Sequence, residues 1–117
     1  MLKALLASAL LLAVTGTALA AEPDAARKAE LLYRLKHDCG SCHGMTLKGG
    51  LGPALLPASI KEHSNEFLID VIRDGVVGTP MPPWGFELSQ DETAWLVKKL
   101  RQGHFLNRLS HAHLNFF

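Results

Sequence analysis

The chain of 117 residues predicts a small all-α domain with long loops. Three stretches carry apolar residues at 3- and 4-residue spacing, each preceded by a capping residue. The intervals between them are rich in glycine and proline, and no stretch alternates apolar and polar residues as a half-buried strand would. Hydrophobic residues make up 48% and charged residues 20%, a balance that excludes a disordered or collagen-like chain.

The first predicted helix runs from Asp24 to about His37. Asp24 is its N-cap, and Ala25, Ala29, Leu32 and Leu35 form the apolar stripe. Gly40 to Leu56 holds five glycines and one proline and reads as loop. A second helix is capped by Ser64 and extends to about Asp74, with Phe67, Leu68, Val71 and Ile72 as its buried face and Gly75 as its stop. Three prolines keep Gly78 to Gly85, GTPMPPWG, out of regular structure. A third helix begins at the capping box of Ser89 and Glu92. Trp95, Leu96 and Leu100 supply its apolar side, Lys98, Lys99 and Arg101 suit its C-terminal dipole, and Gly103 closes it.

Residues 1–20 read as a secretory signal peptide. Lys3 gives a positive start, Ala4 to Val14 is an apolar run of 11 residues, and Ala18-Leu19-Ala20 is a small-residue cleavage site. A spanning helix needs about 20 apolar residues, so stable membrane insertion is not expected. Lys3 is the leader's one charge, and its removal leaves 11 basic against 11 acidic residues. Neutrality argues against a nucleic-acid partner and predicts only mild salt dependence of protein docking. An exported chain with two cysteines, Cys39 and Cys42, has them oxidised, ligated or covalently capped.

Cys39-Gly40-Ser41-Cys42-His43 is the C-x-x-C-H attachment signature of c-type haem. Two thiols three residues apart can form thioethers to the two vinyl groups on one porphyrin edge, and the adjacent His43 then offers its imidazole to iron. A zinc site would want a second cysteine pair, a thioredoxin-like pair would follow a strand, and a plain disulfide would leave the histidine unexplained. For the sixth iron position the favoured ligand is Met81, 38 residues beyond His43, in the stiff segment Pro80-Met81-Pro82-Pro83. Met45 lies two residues past His43, on the wrong side of the ring to swing over, and His63 is the main rival, though it reads better as a surface histidine. His37, His104, His111 and His113 are expected to be solvated. Gly52-Pro53 is placed to offer the Pro53 carbonyl to the second ring nitrogen of His43.

Together, Cys39 to Gly44, Gly52-Pro53-Ala54-Leu55, Gly78-Thr79-Pro80-Met81-Pro82 and the final helix resemble a class I c-type cytochrome. The residues from His43 to Leu55 and GTPMPPWG are similar to the NirC-type cytochromes of denitrifying bacteria and to the cytochrome c domain of cytochrome cd nitrite reductase. The resemblance implies three main helices wrapped around one covalent haem, in a domain spanning 21–102 and followed by a tail of 103–117. It further implies a periplasmic, monomeric one-electron carrier rather than an enzyme. Its redox partner would be cytochrome cd nitrite reductase or a d-type haem maturation enzyme. A role in d-type haem maturation, and a haem sensor or enzyme with an open sixth site, are the alternatives. Lys48, Lys61 and the Gly49-Gly50 loop would border the docking edge. The sequence departs from the class at the first and last helices: Leu31 and Leu35 replace a small residue and an aromatic, and Lys99 replaces an aromatic. That contact is expected to repack around Tyr33 and Trp95.

Overall fold

A computed structural model describes residues 21–105 together with Gly16. The rest of residues 1–20, where the signal-peptide reading falls, and the tail beyond Phe105, including His111 and His113, lie outside the described residues. Helix α1 spans Ala25–Arg34, α2 Gly40–His43, α3 Pro57–Ile60, α4 Asn65–Asp74 and α5 Gln90–Arg101. Among the described residues there is no strand, as the all-α reading expects.

Asp24 caps α1, accepting from the Arg27 amide at 2.8 Å. The helix does not end near His37. A π-helical turn, Leu35–Cys39, carries it directly into α2, so one helical rod reaches His43. A π turn holds an extra residue and re-aims the helical turn after it. Gly40 is buried in this rod beneath Met45, whose Cα and Sδ would lie 3.4 Å from an added Cβ. Gly40 therefore serves a close approach, where the sequence suggested a loop. The rod stops at Gly44, whose φ of 89° a side chain would rarely adopt. Pro57 opens α3, which is too short to show a periodicity.

Ser64 caps α4 through the Phe67 amide at 3.1 Å. The expected buried face needs one correction. Ile69 is buried and Leu68 and Ile72 pack on the core, whereas Phe67 is 48% exposed and stacks on His63 at 4.7 Å. Phe67 lies in the first helical turn, on the far side of the 68–69–72 stripe. Ile69→Ala is expected to cost about 2–3 kcal/mol and Phe67→Ala less than about 1 kcal/mol, measured by denaturant titration.

Both halves of the α5 capping box form: the Glu92 amide donates to Ser89 Oγ at 3.1 Å, and the Ser89 amide donates to the Glu92 carboxylate at 2.9 Å. Thr93, Trp95, Leu96, Val97 and Leu100 are buried along α5, and the Thr93 hydroxyl is satisfied by the Ser89 carbonyl at 2.8 Å. The core gathers Leu31 and Leu35 of the rod, Leu47, Ile60, Leu88, and Trp95, Leu96 and Leu100 of α5. Trp95 thus fills the contact between first and last helices, but Tyr33 does not. It is 64% exposed and meets a half-buried His37 in a tilted ring contact, centroids 4.2 Å apart. Tyr33 stands two residues from both Leu31 and Leu35, about 200° around the helix from each.

Charged groups hold the same crossing. Arg27 Nε meets Glu92 Oε1 at 2.6 Å and its Nη2 meets Oε2 at 3.1 Å, a two-pronged pair. Arg27 also pairs with Glu30 at 2.8 Å, and Arg34 bonds to Glu87 and Glu30. At the other end of α5, Arg101 bonds to Asn65 and to the Ile60 and His63 carbonyls, tying α3 and α4 together. Gly103 then reverses the chain, so that Phe105 packs on the core and His104 is half-buried rather than solvated.

Candidate haem-binding site

Cys39 closes the π turn and Cys42 lies three residues on in α2, so both thiols stand on one side of a continuous helical backbone. Both are free thiols and half-buried. Ser41 Oγ donates to the Asp38 carbonyl at 2.6 Å, within the same rod. Burial against the core, with the Asp38 carboxylate adding to it, pushes the Cys39 thiol up to about 11.

His43 ends α2. Its Nδ1 lies 2.7 Å from the Pro53 carbonyl oxygen. A carbonyl can only accept, so Nδ1 is the donor in this contact, and Nε2 is the ring nitrogen left to face a ligand. The loop carrying Pro53 is fixed to the end of the rod: the Gly52 amide donates to the Cys42 carbonyl at 2.9 Å and the Gly49 amide to the His43 carbonyl at 2.8 Å. Gly52 lies against the imidazole itself. A Cβ there would stand 2.8 Å from both Cε1 and Nδ1 of His43. The sequence pointed to Pro53 but held no sign that its neighbour cradles the ring.

Met81 is carried on a separate arm. Its carbonyl accepts from the Val76 amide at 3.2 Å, and its amide donates to Thr79 Oγ1 at 3.3 Å. Further along, the Trp84 and Gly85 amides donate to the Ile72 and Arg73 carbonyls at 3.0 Å, which sews the arm to the end of α4. Gly75 makes the close approach: a Cβ there would sit 2.8 Å from the Met81 carbonyl oxygen and from Pro83 N. Met81 is half-buried, Met45 is 50% exposed, and His63 is exposed against Phe67. Cys39, Cys42, His43 and Pro53 are thus gathered in one place, and Met81 is presented from another. Among the described residues, no three His, Cys, Asp or Glu side chains come together as a metal-binding group.

The residues fit haem c. Two thiols and an imidazole share one helical run, and Gly52 leaves room for the His43 ring. An all-α fold that delivers C-x-x-C-H at the end of its first helix defines a small c-type cytochrome.

Comparison with known proteins agrees. Residues 24–98 match the family described as cytochrome c oxidase, cbb3-type, subunit III. The chain is 49% identical over 81 residues to cytochrome c55X of Pseudomonas aeruginosa, covering 69% of this chain and 68% of that one. It is 45% identical over 91 residues to cytochrome c55X of Paracoccus denitrificans, covering 78% and 88%. A solved structure of a c-type cytochrome NirC superposes with a TM-score of 0.69 at 48% identity, covering 71% of this chain and 98% of that one. The chain belongs to this c-type cytochrome family, with the class I fold and covalently bound haem c. Members of the family transfer electrons to and from redox partners. No helix among the described residues is long and apolar enough to cross a membrane.

Proposed function

We propose that this chain is a periplasmic one-electron carrier with His43 and Met81 as axial ligands of its haem iron, serving nitrite reductase in denitrification. The observation that carries the reading is the 2.7 Å contact of His43 Nδ1 with the Pro53 carbonyl. It fixes the tautomer and the ring orientation and leaves Nε2 as the ligating atom. Cys39 and Cys42 supply the thioethers, which keep the cofactor from leaving during partner exchange. Met81 supplies a soft sulfur from an arm whose backbone is already ordered, so little entropy is lost on ligation. Haem c, when bound, supplies a ferrous/ferric couple that exchanges one electron. With His43 and Met81 both holding the iron, substrates and gases would be kept from it, which favours a carrier over an enzyme or a sensor. The likeness to NirC supports the denitrification assignment, and the signal-like pattern of residues 1–20 supports the periplasm.

Met81→Ala tests the ligand set. The variant is expected to lower the midpoint potential by on the order of 0.1–0.3 V, a fraction of the ~0.8 V that axial ligands span. The ferrous variant should also bind carbon monoxide rapidly at neutral pH, where the parent protein resists it. Unchanged spectra and potential would remove Met81 from the iron. In a deletion strain, loss of nitrite reduction with the d-type haem intact supports the carrier role. Loss of the d-type haem itself would instead assign the chain to cofactor maturation.

A further inference from the structure

We propose that Leu47 is a positioning residue for the haem site: its buried side chain anchors the loop after His43 to α5 and so holds the Pro53 carbonyl against His43 Nδ1. The proposal rests on the reading of His43 as an iron ligand. Leu47 has a φ of 58°, and among the described residues no other non-glycine residue has a positive φ. A leucine rarely adopts this conformation, so the surrounding structure must hold it there. Its backbone ties the loop at both ends. The Leu47 amide donates to the carbonyl of Gly44, the residue after His43, at 2.8 Å. The Leu47 carbonyl accepts from the amide of Leu55, two residues after Pro53, at 2.9 Å. Its side chain is 4% exposed and shares a small crevice with Leu55, Leu100 and Phe105. Glycine would adopt this backbone freely. What leucine adds is the buried side chain that lines the crevice and packs the loop into the core shared with α5 and Phe105. A shift of this one residue therefore moves both the segment just after the imidazole and the segment that carries its hydrogen-bond acceptor.

The test uses the ferric holoprotein and compares Leu47→Ala, Leu47→Gly, Leu47→Met and Leu96→Ala. Leu96 is buried in the same core but does not line the crevice. The readouts are the exchange rate of the His43 Nδ1 proton, followed by NMR, and the midpoint potential. L47A and L47G are expected to speed exchange by ~10-fold or more and to raise the potential, because a looser Pro53 contact makes the imidazole a weaker donor. L47M should restore both, and L96A should lower Tm while leaving both near the parent values. L47G keeps the left-handed turn without steric cost, so it reads the side chain alone if L47A does not accumulate. Parent-like exchange and potential in L47G would overturn the proposal, as would equal exchange rates in L47A and L96A at matched Tm. If the parent holoprotein lacked a paramagnetically shifted His43 Nδ1 proton, the ligand reading itself would fall and this proposal with it.

Discussion

With His43 as the proposed iron ligand, Gly52→Ala is expected to cut the yield of holoprotein with the parent spectrum by about 10-fold or more, since losing a ligand's supporting contact typically costs about 10- to 100-fold in affinity or activity. The added Cβ would lie 2.8 Å from His43 Cε1 and Nδ1 and 3.3 Å from Nε2. Ordinary contact begins near 3.4 Å, so the ring must retreat by about half an ångström. An exposed side chain would do so cheaply. This ring has its Nδ1 bound to the Pro53 carbonyl at 2.7 Å, and the Gly52 amide is itself bound to the Cys42 carbonyl at 2.9 Å. Neither wall can yield without straining a hydrogen bond next to His43. Gly52 does not have a positive φ, so alanine suits its backbone and the effect is purely one of contact. Gly78→Ala is the matching control: its φ is 78°, yet nothing lies within 4 Å of an added Cβ. That variant should lose about 1 kcal/mol of stability and keep its spectrum. Haem stain and ferric spectra of the two variants check the contrast. A Gly52→Ala protein with parent-like spectrum and yield would show that the cradle has slack.

The difference between these glycines was not legible in the sequence, and the reason is general to this fold. Local chemistry could be read directly. Asp24, Ser64, Ser89 and Glu92 announced their caps because a cap needs only its own first turn. Cys39, Cys42 and His43 announced the cofactor because their spacing is chemical rather than structural. Gly52-Pro53 pointed to a carbonyl near His43, and that contact is present. Features that depend on distant partners were hidden. A π turn leaves no compositional mark, so the passage of the first helix through Gly40 looked like a loop. Tyr33 and Phe67 looked like core because they are large and apolar, and only the helix register turned them outward. The bond between Arg27 and Glu92 joins residues 65 apart and has no local signature.

That bond is expected to make the protein acid-labile over a defined window. Glu92 is pulled from the usual 4.5 down to about 2, first by hydrogen bonds from Arg27 and then by the Ser89 amide, with burial opposing both. A carboxylate depressed in the folded state contributes its full stability above the unfolded value. The contribution fades as pH falls from about 4.5 toward 2. The gap corresponds to a ceiling of about 3 kcal/mol. The Glu92 side chain keeps 20% of its exposure, so solvent screening brings the expected contribution to about 1–2 kcal/mol. Glu92→Gln removes the charge while keeping a side chain that can complete the capping box. It should lower Tm at pH 7 by about 4–12 °C and flatten the loss of stability between pH 4.5 and 2, followed by circular dichroism. An equally steep acid loss in Glu92→Gln would move the effect to other carboxylates, with Glu30, also lowered by Arg27 and Arg34, the first candidate. The consequence reaches the haem site through the rod. Arg27 stands in its first turns and Cys39, Cys42 and His43 at its far end, while Leu31 and Leu35 pack between them. Where the class places a small residue and an aromatic at the helix crossing, this chain sets two leucines flanked by a charge pair. Acid that releases Arg27 from Glu92 loosens the same helix that carries the haem thiols, so the haem spectrum should change over the same pH range as helix stability.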